Sequence, residues 1–516
     1  MKKMLSIILL AVLALGLCCP AAAAENAAPE KHSNAEGYVY ILLEDGSAKI
    51  TGYTGSDKKL SIPSQLDGYT VSAIGARAFY ENKKLTEIVI PDTVRSIENQ
   101  SFSWCVGLQS VSLPEGLERI GSHVFFSCKK LTKVNLPDSL AELLEEPFAG
   151  CDALKEITVS ADHPMLEAAD GVLFNRITST LLWYPVSRKG KEYTVPDGTK
   201  RIGAGAFYHS NLEKIILPDS VEQLANAAFE DCKKLKTVNI PPKVRSADSI
   251  FKQCDRLESI QVDEGNEVFE SIDGVLFDKT AHALVKYPVA KKDKVYTVPE
   301  GTEAIMGNAF ESTSLTGIVI PGSVRFIGSN AFLFCDKLKD VILPEGIEEL
   351  GSFPFQWCSG LVKADLPASL TKIDANPFLY CGKLSEIVVA EGNTALTLVN
   401  GCLVRKEDMA LVCCPAAMKT KELEFPAGIR KVCSTAFGNC TNVENVVFGD
   451  GLEEIEDKAF RQCKKLKRVV LPASVTVIDR TAFDLDEVKK TVFVITPGSY
   501  AENFCTAYGL KTEHAE

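Results

Sequence analysis

A phenylalanine that returns at a nearly constant interval dominates this sequence. The segment at 101–114, Ser-Phe-Ser-Trp-Cys-Val-Gly-Leu-Gln-Ser-Val-Ser-Leu-Pro, has close copies along most of the chain. The marker phenylalanines are Phe79, Phe102, Phe125, Phe148, Phe207, Phe229, Phe251, Phe310, Phe332, Phe355, Phe378, Phe437, Phe460 and Phe483. Their spacing is 22 or 23 residues, interrupted three times by a step of 59. Such a fixed period predicts a solenoid, because one coil cannot bury its apolar face alone and must stack on the next.

Two apolar spacings alternate within each coil. Phe102, Cys105 and Leu108 are three residues apart, which is typical of a short helix or 3₁₀ turn with one buried face. Val111 and Leu113 then alternate with polar residues, as in a half-buried strand. We therefore predict a repeat solenoid in which each coil contributes one short parallel strand and one short helical or 3₁₀ segment.

The three long steps carry matching insertions, near residues 160–193, 263–296 and 390–423. Each insertion contains two short apolar runs that are separated by six residues. The two runs predict an antiparallel hairpin that projects from the coil or bridges it. The insertions divide the coils into groups of four, three, four and three, which we call blocks one to four.

The first residues predict an export signal. Lys2 and Lys3 precede an uncharged apolar run, and alanines end the segment, so residues 1–24 are interpreted as a signal peptide cleaved after Ala24. An uncleaved membrane anchor is the alternative, against which the proline and the alanine cluster argue. A lipoprotein signal fits less well, because Cys18 follows the bulky Leu17.

Polar and paired segments flank the coils. Residues 25–36 are interpreted as a polar tether, and residues 37–68 as a hairpin cap around an Asp-Gly turn. The solenoid then extends over residues 69–485. A C-terminal cap at 486–516 is expected to contain a strand and a short amphipathic helix. Terminal repeats need such caps because their outer faces would otherwise be exposed.

Ten of the seventeen cysteines occupy one position, three residues after a marker phenylalanine. They are Cys105, Cys128, Cys151, Cys232, Cys254, Cys335, Cys358, Cys381, Cys440 and Cys463. Asn82, Ser210 and Thr313 take this position in other coils. A position that accepts these four residue types requires a small side chain with some hydrogen-bonding ability, so we predict mostly free, buried thiols in a ladder. Pairing between neighbouring rungs stays open, because stacked rungs are close in space.

Four cysteines of the third insertion region fall outside this ladder, namely Cys402, Cys413, Cys414 and Cys433. A zinc site or a redox pair would need short paired spacings such as Cys-x-x-Cys, which they lack. The sister insertions have valine at the position of Cys402 and tyrosine at that of Cys414, so cysteine is interpreted as a small apolar substitute. A disulfide from Cys402 to Cys413 or Cys414 stays open as an alternative.

The net charge of the chain and the absence of known catalytic and ligand-binding motifs exclude several classes of function. The formal charge is −12, and it becomes −14 once Lys2 and Lys3 leave with the signal peptide. An acidic surface repels phosphate backbones, which argues against a nucleic-acid partner. The six histidines occupy unrelated repeat positions and are interpreted as surface residues. The sequence contains no motif of a metal, phosphate or dinucleotide site and no nucleophile elbow, so we expect no cofactor and no enzymatic activity.

The repeat frame resembles the BspA-like class of bacterial leucine-rich repeats. The residues that carry the resemblance run from Leu338 to Pro344 and continue at Ile347, Leu350, Phe355 and Cys358. It covers essentially the whole chain from Gly37 onward, with Cys and Phe where other leucine-rich repeats have Asn or Leu. The resemblance implies a secreted or surface-exposed solenoid that takes part in adhesion to host extracellular-matrix proteins and to other cells.

Two sets of side chains are candidates for partner binding. The first is an aromatic stripe, whose members are spaced by 23 residues and should stack on consecutive coils: Phe334, Trp357 and Tyr380. The second is an aliphatic column that should point outward from the strands: Val319, Ile342 and Val388. Packing alone would also explain an aromatic stripe.

The expected partner is a protein. A broad face of mixed polar and aliphatic character suits a protein or peptide better than a small molecule. We therefore expect a secreted or extracellular surface protein that binds host-matrix or cell-surface macromolecules. A glycan-binding module and a structural envelope protein are the alternatives. No later apolar run is long enough to cross a bilayer, so the mature chain is expected to lack a transmembrane segment.

Overall fold

In the computed structural model, which describes residues 29–247 and 250–515, the chain winds into a solenoid with strands at two positions of each coil. The predicted repeat solenoid is therefore confirmed. One set of strands has three or four residues and the other has two. We call the sheets that they build the long-strand sheet and the short-strand sheet. The predicted signal peptide at 1–24 lies outside the described residues.

The long strands are those that the sequence predicts. Most pair in parallel with their equivalent in the next coil of the same block, as Glu87–Val89 does with Ser110–Ser112. The middle residue, such as Ile88, is buried and the flanking residues face outward. The long strands are Lys59–Ser61, Glu87–Val89, Ser110–Ser112, Lys133–Leu136, Glu156–Val159, Glu192–Thr194, Lys214–Ile216, Thr237–Ile240, Ser259–Val262, Val295–Thr297, Gly317–Val319, Asp340–Ile342, Lys363–Leu366, Glu386–Val389, Glu422–Phe425, Asn445–Phe448, Arg468–Val470, Val492–Ile495 and Lys511–His514.

Most coils also contain a two-residue strand that the sequence pattern does not reveal. Ser96–Ile97 pairs in parallel with Arg119–Ile120, which pairs with Glu142–Leu143. Because only the second residue, such as Ile97, is buried, no alternation is visible in so short a segment. The short strands are Ser96–Ile97, Arg119–Ile120, Glu142–Leu143, Arg201–Ile202, Gln223–Leu224, Ala304–Ile305, Phe326–Ile327, Glu349–Leu350, Lys372–Ile373, Lys431–Val432, Glu454–Ile455 and Val477–Ile478.

A run of turns, rather than the helical segment expected from the sequence, surrounds each marker phenylalanine. The amide of Cys105 donates to the carbonyl of Phe102 in its own coil (3.2 Å), but the amide of Trp104 donates to the carbonyl of Phe126 in the next coil (2.7 Å). Left-handed residues impose this alternation, since Gln100 has φ 59° and Trp104 has φ 63°. A helix needs every amide to point along one axis at negative φ, so it cannot form here. We call the outward side of this run the turn face.

The left-handed conformation recurs immediately before the ladder position. The residues concerned are Glu81, Trp104, Ser127, Gly150, His209, Asp231, Gln253, Ser312, Phe334, Trp357, Tyr380, Asn439 and Gln462. For a residue other than glycine this conformation costs about 1 kcal/mol. Hydrogen bonds between coils help to offset that cost, as in the bond from Trp357 N to Leu379 O (3.0 Å).

Each insertion is a three-stranded antiparallel unit, one strand more than the predicted hairpin. In the first, Leu166–Ala169 pairs with Val172–Asn175, which pairs with Thr180–Trp183. Thr180–Trp183 also pairs in parallel with Arg201–Ile202, so the unit continues the short-strand sheet. The equivalent strands are Phe269–Ile272, Val275–Asp278 and Ala283–Lys286 in the second insertion, and Leu396–Val399, Cys402–Arg405 and Ala410–Cys413 in the third.

The insertions bridge the coil and separate one core from the next. Leu173 and Trp183 belong to the core of block one, whereas Val172 and Tyr184 belong to the core of block two. Neighbouring residues of a strand point to opposite faces, so a strand unit between two blocks supplies side chains to both. We call each insertion unit a partition.

The N-terminal strands join the short-strand sheet. Tyr38–Leu42 and Ala48–Tyr53 form the predicted hairpin. The second hairpin strand pairs with Tyr69–Ile74, which pairs with Ser96–Ile97. Two further short strands lie at His32–Ser33 and Gln65–Leu66.

The C-terminal segment contains the strand and helix that the sequence predicts. Val492–Ile495 pairs with Arg468–Val470 of the last coil, and the helix spans Tyr500–Ala507. A 3₁₀ helix at Val488–Lys490 precedes the strand. Lys511–His514 pairs in parallel with Val492–Ile495 and extends the long-strand sheet.

Stacked phenylalanine rings form the centre of each block. Phe310 and Phe332, for example, lie 4.9 Å apart with an angle of 3° between their planes. Partition tyrosines begin the stack in two blocks, since Tyr184 lies 5.3 Å from Phe207 and Tyr287 lies 5.3 Å from Phe310. The aromatic column therefore starts anew after each of these partitions.

The ladder cysteines act as hydrogen-bond donors between coils. The thiol of Cys105 donates to the carbonyl of Phe79 (3.1 Å), and that of Cys128 to the carbonyl of Phe102 (3.2 Å). All described cysteines are free and all but Cys433 are buried. Burial raises the pKa of Cys105 to about 12, so the thiol keeps the proton that it donates. The interpretation of this position as a small hydrogen-bonding side chain is confirmed.

Candidate functional site

The predicted aromatic stripe is present on the turn face of block three. The ring centres of Phe334 and Trp357 lie 6.2 Å apart, and those of Trp357 and Tyr380 lie 4.3 Å apart. The planes are inclined by 26° and 25°, so the rings form one stack. Phe334 and Trp357 are 44% and 40% exposed, but Tyr380 is only 8% exposed. Tyr380 is therefore a buried end of the stack rather than an accessible contact residue.

The aliphatic column lies on the long-strand sheet and is uneven. Val319 is 51% exposed and Ile342 is 70% exposed, whereas Val388 is only half-exposed. No strand pairing joins Gly317–Val319 to Asp340–Ile342 in the described part of the chain, so the sheet is interrupted between the two exposed residues. The stripe lies on the turn face, and this column lies on the long-strand sheet.

A second aromatic group lies on the turn face of block one, where the coils meet block two. Phe126 is at its centre, 5.9 Å from Trp104 and 5.8 Å from Tyr208 between ring centres. His123 lies 5.6 Å from Phe126 on a third side. A cavity of about 320 Å³ opens among these rings, and we call it the aromatic cleft. Tyr80, Glu146 and Glu230 complete its main walls.

The cleft exists because the coil between those of Phe126 and Tyr208 has small residues at the positions next to these two rings. Between the coils of Phe126 and Tyr208, the turn face carries Ala149 and Gly150. Gly150 has φ 73°, and a Cβ there would lie 2.9 Å from the Ser127 hydroxyl oxygen. Glycine is therefore required by both the backbone conformation and the space, and the small residues let the rings of Phe126 and Tyr208 meet above this coil.

Carboxylates give the cleft a negative character. Glu146 accepts a hydrogen bond from Nε2 of His123 (3.2 Å), and this contact raises the pKa of His123 above its usual value. Glu230 lies 3.4 Å from the ammonium of Lys252. Burial, with a further contribution from neighbouring carboxylates, raises the pKa of Tyr208 to about 12. Tyr208 therefore keeps its hydroxyl proton at neutral pH.

The sequence reasoning missed the cleft because its residues occupy different positions of the frame. Trp104 lies two residues after its marker phenylalanine, whereas Phe126 and Tyr208 lie one residue after theirs. Tyr208 also belongs to a coil beyond the first insertion. The signal that was available is the pair of small residues, Ala149 and Gly150, where other coils have larger side chains.

Cys402, Cys413 and Cys414 lie in or directly after the third partition, and Cys433 follows the short strand Lys431–Val432 of the next coil. The pairing of Leu403 with Cys413 places Cys402 opposite Cys414 on the neighbouring strand. The thiol of Cys414 donates to the sulfur of Met418 (3.2 Å). Burial, and the neighbouring Cys402 and Cys440, raise the pKa of Cys414 well above its usual value. The thiols thus fill apolar space, and no disulfide is present among the described cysteines.

One histidine is not at the surface, contrary to the expectation from the sequence. His163 is 1% exposed, and its Nδ1 accepts hydrogen bonds from the amides of Met165 and Leu166, both 3.1 Å. Asn266 accepts the equivalent bonds through Oδ1 in the second partition. His163 is buried because its Nδ1 accepts the two backbone hydrogen bonds that the side-chain oxygen of Asn266 accepts in the second partition.

The second partition holds a lysine that is almost enclosed. The Lys286 side chain is 14% exposed and takes the position of Trp183 in the first partition. Its ammonium donates to the carbonyl of Asn308 (2.8 Å) and lies 4.0 Å from a carboxylate oxygen of Glu311. Burial lowers the pKa of Lys286. The carbonyl of Asn308 and the carboxylate of Glu311 are sufficient to explain why the Lys286 ammonium is buried, so no bound ligand is needed to explain it.

Two further observations concern the described residues as a whole. No group of three or more His, Cys, Asp or Glu side chains in this part of the chain is arranged to hold a metal ion. Within the same residues, no helix combines the length and the apolar character that a bilayer crossing requires.

The family follows from a match that covers most of the chain. The model of the BspA-type leucine-rich-repeat region, which comprises six repeat copies, matches residues 72–174, 186–292, 297–399 and 413–506. The chain belongs to the BspA-type leucine-rich-repeat family. The gaps between these BspA-type matches fall in or next to the three insertions. Among curated proteins, none matches the chain.

Several solved structures are similar to this BspA-type chain. A leucine-rich cell surface protein from Faecalibacterium prausnitzii is 24% identical, with a TM-score of 0.35, over 95% of this chain and 100% of that one. A leucine-rich-repeat protein from Eubacterium ventriosum is 19% identical, with a TM-score of 0.36, over 89% and 95%. The pneumococcal vaccine antigen PcpA is 18% identical, with a TM-score of 0.28, over 95% and 99%.

Proposed function

We propose that this chain is an exported, surface-exposed binding protein whose partner is a protein of the host extracellular matrix or of another cell surface. One observation carries the proposal, namely the concentration of exposed large hydrophobic side chains between residues 306 and 362. They are Met306, Val319, Phe334, Ile342, Trp357 and Val362. They lie on consecutive coils of block three, with Phe334 and Trp357 on the turn face and Val319 and Ile342 on the long-strand sheet. Such a concentration of exposed apolar side chains is typical of protein interaction sites.

The stripe favours a protein over a glycan. Trp357 is stacked between Phe334 and Tyr380, on the preceding and the following coil. A pyranose ring would need a free aromatic face, whereas a protein can contact the exposed ring edges and the aliphatic side chains of the strands.

Export and the absence of catalysis are parts of the same proposal. BspA-type proteins are surface-associated or extracellular, and repeat proteins of this kind typically do not catalyse reactions. The charged start, apolar run and alanine-rich end of residues 1–24 support export with cleavage after Ala24. The proposed activity is therefore binding outside the cell.

The test is binding of the mature chain, from residue 25 onward, to a panel of immobilised matrix proteins. In the double variant Ile342→Ser and Trp357→Ser we expect binding at least about tenfold weaker, because anchors of this type carry most of the energy of an interface. Val89→Ser is the matched control, since Val89 has the same strand position in block one and is 39% exposed. Undiminished binding by the double variant would contradict the proposed surface. Binding to a glycan array with none to the matrix proteins would contradict the proposed partner class.

A further inference from the structure

The aromatic cleft of block one has the geometry of a cage. The rings of Trp104, His123 and Tyr208 are inclined to the ring of Phe126 by 59°, 58° and 56°. Rings inclined in this way enclose a volume and do not form a flat platform. The faces of Trp104, Phe126 and Tyr208 around one volume attract a compact cation, because each carries the negative end of the ring quadrupole.

The charge of the cleft is complementary to a cation. Glu146 and Glu230 line it, and none of its described lining residues is a lysine or an arginine. Each carboxylate already has a basic partner, because Lys252 lies 3.4 Å from Glu230 and the His123 imidazole lies 3.2 Å from Glu146, so a ligand would have to compete with these two groups. Neighbouring carboxylates contribute to the raised pKa of Tyr208, in agreement with a negative potential inside the cleft.

The shape of the cage favours one kind of cationic group. A planar guanidinium prefers a single ring, as Arg77 does over Tyr80 at one wall of the cleft, with its Cζ 4.1 Å from the ring centre. A tetrahedral ammonium group instead presents itself equally to several inclined rings. The cavity of about 320 Å³ is at the lower end of the size range of ligand sites, which suits one side chain.

We propose that the aromatic cleft binds the side-chain ammonium of a lysine presented by a protein partner. This inference rests on the proposed function, since it assumes a protein partner, and it adds a second contact region on block one. The lysine stem would lie along Trp104 and Phe126, with the ammonium group close to Glu146.

The test uses the fluorescence of Trp104 in the full mature chain with Trp357→Phe. The remaining tryptophan, Trp183, is 4% exposed and gives a constant signal. The probes are a short peptide with one lysine, the same peptide with Nε-acetyl-lysine, and tetramethylammonium chloride against sodium chloride at equal ionic strength. We expect saturable binding of the lysine peptide, at least about tenfold weaker binding of the acetylated peptide, and a response to tetramethylammonium but not to sodium.

Variants of the cleft carboxylates test whether the lysine peptide binds in the aromatic cleft. Glu146→Gln keeps the size and the contact to His123, and it should weaken binding of the lysine peptide at least about fivefold, as loss of a charge partner does. Glu145→Gln is the matched control, because Glu145 is the adjacent carboxylate and is not among the lining residues of the cleft. If Glu146→Gln perturbs the fold, Tyr208→Phe and Glu230→Gln provide independent variants, of which Glu230→Gln should weaken binding and Tyr208→Phe should not.

Three results would overturn the proposal. They are equal affinity for the lysine and acetyl-lysine peptides, equal effects of Glu145→Gln and Glu146→Gln, and binding of tetramethylammonium without binding of the lysine peptide. Capture of a matrix protein by the Glu146→Gln variant at unchanged affinity would remove the cleft from the interface while leaving the proposed function intact. Loss of capture only in the Ile342 and Trp357 double variant would separate the two proposals in the same way.

Discussion

The aromatic stripe of block three and the aromatic cleft of block one are carried by the same run of turns. Trp357 and Trp104 precede a ladder cysteine, have φ 60° and 63°, and are 40% and 41% exposed. Their neighbours differ, because Trp357 lies between two rings at the same repeat position and nearly parallel to it, whereas Trp104 contacts the single ring of Phe126 at an inclination of 59°. One frame position therefore gives a closed stack when successive coils repeat the aromatic residue, and an open cage when small residues interrupt it.

The largest expected difference concerns the end of the stack. Tyr380→Ala should lower the free energy of unfolding by about 4 kcal/mol, because it empties a buried site, whereas Trp104→Ala should cost about 2 kcal/mol, because it leaves no enclosed cavity. Urea denaturation of the mature variants measures both losses. Equal losses would mean that Trp104 is as firmly packed as Tyr380, and the comparison would fail.

The backbone at the two tryptophans should respond equally. Trp104→Gly and Trp357→Gly should each be about 1 kcal/mol more stable than the corresponding alanine variant, because glycine adopts a left-handed φ without a steric penalty. The same denaturation experiment measures the two differences. A difference at only one site would show that the two turns do not share one conformation.

A smaller, pH-dependent effect is expected at the cleft alone. The contact with Glu146 raises the pKa of His123 above 6.5 in the folded state, so its stabilisation is fully present below pH 6.5 and is lost as pH rises through the folded pKa. Because His123 is partly exposed, the gap in stability between the wild type and His123→Gln should be about 0.5 kcal/mol at pH 5.5 and vanish at pH 8.5. The Trp357→Phe variant serves as the pH-independent control. A gap that widens with pH would contradict the assigned contact.

The smallest expected effect is spectroscopic. Trp104 should be quenched by caesium more strongly than by iodide, with a ratio of quenching constants about twice that of Trp357, because carboxylates attract the cation. Trp357→Phe and Trp104→Phe each leave one exposed tryptophan, because the remaining Trp183 is buried. Equal ratios at the two sites would remove the electrostatic part of the comparison.

The sequence predicted the stacking of side chains correctly wherever one residue type recurred at the same position of the 22- or 23-residue repeat. The phenylalanine stack, the thiols that donate to the preceding coil and the stripe of Phe334, Trp357 and Tyr380 all follow from single columns of the repeat. Strand alternation likewise predicted the long strands. These features repeat because stacking places identical positions next to one another.

Contacts between residues at different positions of the repeat could not be predicted from its periodicity. Phe126 and Tyr208 meet only because a partition and two small residues bring their coils together, which no single column records. The two-residue strands were not predicted because so short a segment shows no alternation of apolar and polar residues. The burial of Tyr380 also depends on its neighbours in space, so its frame position alone could not distinguish it from Trp357.

The partitions have a mechanical consequence when the solenoid is pulled from its two ends. Each block keeps its own core, and the partition contributes side chains to the core on either side of it. Tension applied between the two ends would therefore be released one block at a time, since contacts extend only to neighbouring units. A block with its partition comprises about 100 residues, so each event would add roughly 300 Å of extended chain while the other blocks retain their folded surfaces.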